Sequence, residues 1–412
     1  MHKVSSGLRA IVVRCSTWEE NRMCRKGIVC LSKLTCLLLI VCLAAVSVLG
    51  CKKSATVEPI KIGFIGDLTG DTAIWGQAGS KAGQMTTDEI NAAGGILGRQ
   101  IQFIPMDGRG QAVDSVNAFN SLVDQGVLCV IGTNFSSCNK AIAPIACQKK
   151  IPLLGTTCTN DAVTVDQATG LVYPYSFRIG YTDEFQAQVL GKYAATELKA
   201  KTFASFLDMT QDFAQTETTW FNKAFVANGG KMVGTVSGRS GDNDFRTQLT
   251  KLAAMKPDVI LLPWFYKDVA LIANQAKELG MKIPFMGPDS WDSPELMGLA
   301  GPALEGSYYC SQPAFARPET KPFHDAYVAK WGTEPEAESL AVHDGLYWVK
   351  DACERAGKVD PVALRDALES TVNFQGLMGP ITVDIKTHNP SKEASLFHIT
   401  GSKRVFVGDF KP

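Results

Sequence analysis

The chain has 412 residues, 45% of them hydrophobic and 20% charged, a globular composition that excludes a mainly disordered chain, a collagen and a multi-span membrane protein. At roughly 100–200 residues per domain, this length allows two or three compact units. The 41 basic and 41 acidic side chains cancel, but residues 1–50 hold seven basic and two acidic ones, so the remaining body carries a net −5 and offers no broad electrostatic footprint for nucleic acid.

From Leu34 to Gly50 the chain reads LTCLLLIVCLAAVSVLG, without a charge, behind Arg25, Lys26 and Lys33. A positive flank and a short apolar run ending in small residues describe a secretory signal. A spanning helix needs about 20 apolar residues, and this run is a little short for one; a signal anchor is the competing reading. Residues 1–22, with Trp18, Glu19 and Glu20, fit a signal poorly, which makes Met23 an alternative start. Val48-Leu49-Gly50-Cys51 resembles the bacterial lipobox, with Val in place of the commoner Leu. The resemblance implies that residues 1–50 are removed and that Cys51 is lipidated and becomes the mature N-terminus. Several acyl chains, at about 0.8 kcal/mol per buried CH₂, would hold the protein on a membrane surface outside the cytoplasm. Residues 51–57 then read as a tether.

From Pro59 onward, strands and helices alternate. Ile60–Ile65 is an apolar run, Gly76–Ile90 is helical, and Asn91-Ala92-Ala93-Gly94-Gly95 is a stop signal. Gln100–Pro105 is the next strand, followed by a helix carrying Ala112, Val116, Phe119 and Val123 at helical spacing. Val127–Ile131 and Pro152–Leu154 are strands flanking a helix over Lys140–Gln148. The pattern restarts near Asp183, with helices over Phe185–Leu198, Phe213–Ala227, Phe245–Met255 and Val269–Leu279. Strands over Phe203–Leu207, Lys231–Val236, Val259–Leu262 and Pro284–Met286 alternate with them. Two such series of similar size predict an α/β chain with two doubly wound parallel-sheet lobes. The last hundred residues differ: helices over Pro322–Lys330, Leu340–Arg355 and Val362–Leu368, then antiparallel strands over Ile381–Ile385, Leu396–Ile399 and Val405–Val407. This tail is too small for a domain of its own and must pack back onto the lobes.

Of twelve Cys, six fall in the body: Cys129, Cys138, Cys147, Cys158, Cys310 and Cys353. Export permits disulfides, but no Cys-x-x-Cys or paired His forms a metal motif. Cys138 and Cys147, about 13 Å apart on one helix, are too far apart to bridge. Most of the six are expected to be small buried apolar groups.

Ligands of open parallel sheets bind beyond the carboxyl ends of the strands. In the first lobe those ends carry Asp67–Gly70 with Trp75, then Gly132–Ser137, then Gly155–Asn160; in the second they carry Asp208–Phe213, Pro263–Tyr266 and Gly287–Ser290. Ser136 and Ser137 open a helix, where unpaired N–H groups favour an anion such as a carboxylate. Helix capping is the ordinary job of a Ser there, and both readings stay open. Thr157 and Thr159 add hydroxyls at the next strand end. Phe213, Phe265 and Asp289 face them from the second lobe, each with a plainer reading as packing or turn residue. Together they suit a zwitterion with an apolar tail: donors for its carboxylate, an acid for its ammonium, rings for its side chain. Enzyme readings fare worse. The sequence has no Gly-x-Gly-x-x-Gly after a strand, no P-loop, no His-Glu-x-x-His and no Gly-x-Ser-x-Gly. The body's histidines, His324, His343, His388 and His398, lie in the tail and at none of these strand ends.

Several segments carry a resemblance to the periplasmic leucine/isoleucine/valine-binding proteins of ABC transporters. They are Ile62-Gly63-Phe64 through Thr69-Gly70 with Trp75-Gly76, Glu89 through Gly98, Val130-Ile131-Gly132 through Ser136-Ser137, Asp208 through Phe213, Phe265 through Ala270, and Phe285-Met286-Gly287-Pro288. The resemblance runs from about residue 58 to the end. It implies the type I periplasmic-binding fold, two lobes joined by a three-strand hinge that closes on a ligand. The crossings are expected at Ile179–Thr182, Tyr309–Pro313 and Asn373–Gln375, giving lobe one 58–178 with 314–372 and lobe two 183–308 with 376–412. It implies that Trp75 covers the ligand and Ser136 binds its carboxylate. Thr157 and Thr159 would hold carboxylate and ammonium, Phe213 and Phe265 close over it, and Asp289 binds the ammonium.

The sequence departs from the family where Phe213 and Phe265 lack the hydroxyls of Tyr, Trp264 replaces a common Gly, and Asp289 is shorter than Glu. Those departures point to a different apolar or aromatic side chain, or to a ligand that is not an α-amino acid. The expectation is a monomeric, lipid-anchored amino-acid-binding protein of an ABC importer, with an ABC permease as partner, no cofactor, no metal and no catalytic residue. A sensor presenting its closed form to a receptor, a binder of another small carboxylate or amide, and an enzyme using the cleft are the alternatives.

Overall fold

The computed structural model describes residues 58–312 and 317–412. The expected signal, the Cys51 lipidation site and the tether lie outside the described residues, as does the Pro313 end of the second expected crossing.

The first lobe is built on strands β1 (Ile60–Gly66), β2 (Ile101–Asp107), β3 (Cys129–Ile131), β4 (Leu153–Gly155) and β5 (Ser176–Arg178). They pair in parallel in the order β2-β1-β3-β4-β5. Helices α1 (Ala73–Ala92), α2 (Ala112–Asp124) and α3 (Ser136–Lys149) connect them. Both faces are covered, so β1 and β3 read as nearly continuous apolar runs rather than alternating ones. α1 lies close to the sheet because its inner face is small. A Cβ at Gly83 would come 2.1 Å from the Phe103 ring. α1 ends at Ala92, and Gly94 (φ 106°) and Gly95 (φ 76°) turn the chain in the left-handed region, which glycine adopts without steric cost.

The chain then builds the second lobe. Its elements are α4 (Asp183–Thr196), β6 (Thr202–Asp208), α5 (Asp212–Ala227), β7 (Lys231–Gly238), α6 (Arg246–Met255), β8 (Val259–Leu261), α7 (Tyr266–Glu278), β9 (Phe285–Gly287), α8 (Pro294–Ala300) and β10 (Tyr308–Ser311). It returns to the first lobe with α9 (Lys321–Trp331), α10 (Ala337–Ala356), α11 (Pro361–Glu369) and the hairpin β11 (Phe374–Gly376)–β12 (Gly379–Ile381). Finally β13 (Ala394–Thr400) and β14 (Lys403–Phe410) complete a seven-stranded sheet in the order β14-β13-β10-β9-β8-β6-β7. β6 to β10 are parallel and the last two strands antiparallel.

The third expected crossing, at Asn373–Gln375, needs correction. Met378, Ile381 and Val383 are buried in the same core as Ile60, Phe64 and Leu346. The Asp344 carboxylate of α10 accepts the backbone N–H groups of Leu377 and Met378, both at 2.8 Å. Residues 376–383 therefore pack on the first lobe, and the chain leaves it between Val383 and Ala394. The strand expected over Ile381–Ile385 is instead β12, ending at Ile381.

Among the described residues the six body cysteines are free thiols, five buried and Cys147 half-buried. No helix among the described residues is long and apolar enough to cross a membrane.

Candidate ligand-binding cleft

Residues that follow the carboxyl ends of parallel strands in both lobes meet at the interlobe gap. A cavity of about 140 Å³ lies there, and its wall includes Trp75, Ser136, Thr157, Thr159, Phe213, Phe265 and Asp289, the seven residues singled out in the sequence. β3 and α3 place Ser136; the turn after β4 places Thr157 and Thr159. α5 places Phe213, the approach to α7 places Phe265, and the turn after β9 places Asp289.

Ser136 is the first residue of α3, and its N-cap is Phe135, which makes no side-chain cap bond. Ser136 therefore does not cap the helix. Its Oγ instead accepts the backbone N–H groups of Thr159 (3.3 Å) and Asn160 (3.1 Å), tying the two first-lobe loops together. Accepting leaves its own O–H free to donate. The uncapped first turn keeps N–H groups available to an anion.

The rings form a continuous wall. Phe265 packs on Trp75 (centroids 5.7 Å), Phe135 (5.4 Å) and Phe213 (5.3 Å). Trp75 and Phe135 belong to the first lobe, so these contacts join the lobes. Trp75 also donates its indole N–H to the Asp292 carbonyl at 3.4 Å, and Lys140 of α3 pairs with Asp212 of α5. Trp264 does not face the cavity. It is fully buried in the second lobe, its indole N–H donating to the Phe206 carbonyl at 2.6 Å.

Asp289 is half-buried and accepts the side-chain amides of Gln186 (3.2 Å) and Gln312 (3.0 Å). Burial pushes its carboxyl up to about 6 against these two bonds, with the Asp292 carboxylate adding to the rise. Asp292 is held at 2.7 Å by Arg404.

Sequence reasoning missed Glu338. It sits in the first turn of α10, 2% exposed, and lines the cavity. It accepts the hydroxyls of Thr156 (2.6 Å) and Thr157 (2.9 Å). The Thr157 hydroxyl expected to hold a ligand is thus bonded to a protein carboxylate. Burial raises Glu338 to about 7; the two threonines pull it down and nearby Asp67 pushes it up. Gly79 of α1 makes room for it, since a Cβ there would lie 2.9 Å from the Glu338 Cγ. A carboxylate within an apolar helical pattern 180 residues from the strand ends gives no local signal. Only the packing of α10 on α1 brings it to the cleft. Gln312 and Asp292, which follow β10 and β9, were missed too, and Asn134 lies in the strand-end segment Gly132–Ser137 without having been singled out. Among the described residues no cluster of acids, cysteines and histidines is arranged to hold a metal ion, and no histidine lines the cavity.

The family described as periplasmic binding protein matches residues 59–404. The leucine-, isoleucine-, valine-, threonine- and alanine-binding protein of Pseudomonas aeruginosa is 28% identical over 365 residues, covering 88% of this chain and 94% of that one. A leucine-binding protein of Thermotoga maritima is similar in structure, with a TM-score of 0.78 and 30% identity over 86% of this chain and 99% of the other. A branched-chain amino acid transporter substrate-binding protein of Streptococcus pneumoniae, solved with isoleucine, gives a TM-score of 0.79 and 29% identity over 86% and 100%. With two doubly wound lobes, interlobe crossings and a cavity at the strand ends between them, the chain belongs to the periplasmic binding protein family and shares the type I fold of its leucine/isoleucine/valine-binding members.

Proposed function

We propose that this protein is the exported solute-binding component of an ABC importer, anchored by lipid at Cys51, and that it captures an amino acid between its lobes. The observation that carries the reading is the convergence, on one cavity, of donors from the first lobe with rings and a carboxylate from the second. The amino acid's carboxylate meets the Ser136 hydroxyl and the uncapped first turn of α3; its ammonium meets Asp289. The methylenes of its side chain lie against Trp75, Phe213 and Phe265. The names of the relatives, which specify aliphatic amino acids, support an amino acid as the solute. The ligand docks on the first lobe, and closure adds the second-lobe contacts. Only this extra affinity for the closed state drives the hinge. The closed monomer is then the form a permease recognises.

Mass spectrometry of the solute released from protein purified without refolding tests the reading, with a thermal-shift screen of the common amino acids beside it. An amino acid in the released fraction that also raises the melting temperature is the expected result. A screen in which none does so overturns it.

A further inference from the structure

Four carboxyls line the cavity, Asp212, Asp289, Asp292 and Glu338, and among the described residues no Lys, Arg or His does. Two of them are answered by cations that do not line the cavity: Asp212 pairs with Lys140, and Asp292 with Arg404 at 2.7 Å. The other two accept hydrogen bonds only from neutral groups, Asp289 from the amides of Gln186 and Gln312, Glu338 from the hydroxyls of Thr156 and Thr157. They stand on opposite lobes of the same gap. A buried carboxylate without a countercharge is costly, and a ligand that brings the charge relieves the cost. A zwitterion with an uncharged side chain brings one cation and a carboxylate of its own, which leaves one of the two acids unanswered. Glu338 can take another donor: a carboxylate has about four acceptor sites, and the Thr156 hydroxyl with the Thr157 hydroxyl and backbone use three of them. The ring wall of the same cavity suits both a methylene stem and a cation lying over an aromatic face.

We propose that Glu338 sets the ligand class, so that the cleft takes a small solute with two separate nitrogen cations, one for Asp289 and one for Glu338, as in a basic amino acid or a diamine. The inference rests on the cleft being an amino-acid-type solute site and names the solute's chemistry.

Calorimetry with lysine, ornithine, 1,5-diaminopentane, norleucine and leucine tests it on the wild-type protein and on Glu338→Gln. Norleucine is close to lysine without the side-chain cation; the diamine is lysine without the carboxylate. At least one dication is expected to bind wild-type protein tenfold or more tighter than norleucine and leucine. Lysine above the diamine identifies a basic amino acid, and the reverse identifies a diamine. Glu338→Gln is expected to remove the preference, weakening the dications by tenfold or more relative to norleucine. Norleucine or leucine binding as tightly as every dication overturns the proposal, whether or not the variant folds. So does a preference that survives Glu338→Gln, or a uniform loss across all probes in a variant of unchanged melting temperature. Leucine binding that depends on Asp289 but shows no dication preference overturns this inference and leaves the proposed function standing. Failure of every probe and every common amino acid overturns both.

Discussion

The Trp75 ring of the first lobe lies 5.7 Å from the Phe265 ring of the second, tilted by 58°, so the two lobes meet through an aromatic pair at the cavity itself. Such a pair is worth about 0.5–1.5 kcal/mol beyond its buried area, and here that energy exists only while the lobes are together. Trp75→Ala is therefore expected to weaken ligand binding by tenfold or more, about 1.4 kcal/mol. Small-angle scattering is expected to show a ligand-induced contraction in wild type and a smaller one in the variant. An identical contraction and unchanged affinity would remove Trp75 from the closing contact.

Asp289→Ala is expected to weaken amino-acid binding by more than tenfold, again about 1.4 kcal/mol. An ammonium needs the ionised acid. Asp289 takes up its proton near about 6, and Glu338, the other acid of the cavity without a cation partner, near about 7. Affinity should therefore fall as pH drops through that interval and level off above it. Calorimetry from pH 5 to pH 8 checks both parts, and a flat profile counts against either acid binding a cation.

Asp183 of α4 and Glu217 of α5 are fully buried, and among the described residues none of their four carboxylate oxygens has a hydrogen-bond partner. Burial pushes both well above the usual carboxylate range; the Asp183 carboxylate adds to the rise of Glu217, and Asp289 adds to both. In the unfolded chain they ionise near pH 4. Their contribution is therefore most favourable below that value and is lost as pH rises toward their folded values. The double variant Asp183→Asn, Glu217→Gln removes the charge and keeps the shape. Its melting temperature is expected to lie nearer to wild type at pH 4 than at pH 8, where it exceeds wild type by about 2 °C or more, the order of shift that ~1 kcal/mol gives in a large domain. An equal or lower value at pH 8 contradicts it.

The thiols offer a simpler check. Burial raises Cys129, Cys158 and Cys310, which keeps them protonated and unreactive. For residues 58–412, dithiothreitol is expected to leave the melting temperature unchanged. A thiol reagent applied without denaturant should modify half-buried Cys147 before the other five. A drop in melting temperature on reduction would reveal a disulfide.

Much of the fold was legible because parallel strands buried on both faces write themselves as short apolar runs, and Gly-rich stops punctuate the helices. The seven cleft residues were legible for a related reason: strand carboxyl ends can be counted along the sequence. What escaped notice was short or distant. β5 and β10 have three and four residues, too few for a period to show. Among the described residues β11 pairs with β12 alone, and the hairpin is attached to the first lobe by buried Met378 and Ile381 and by the Asp344 carboxylate at its turn, tertiary contacts with no local trace. Glu338 was hidden by the same kind of distance, since its neighbours Thr156 and Thr157 lie far away along the chain.

The antiparallel pairing of β10 with β13 has a consequence for biogenesis. β13 separates β10 from β14, yet the ribosome makes it only after the whole of α9, α10 and α11 has gone to the other lobe. Until then the nascent second lobe presents β10 as a bare edge, a template for pairing with other chains. A copy under synthesis therefore depends on β13 to become safe from aggregation, and a stop before residue 394 is expected to yield insoluble product rather than a working half.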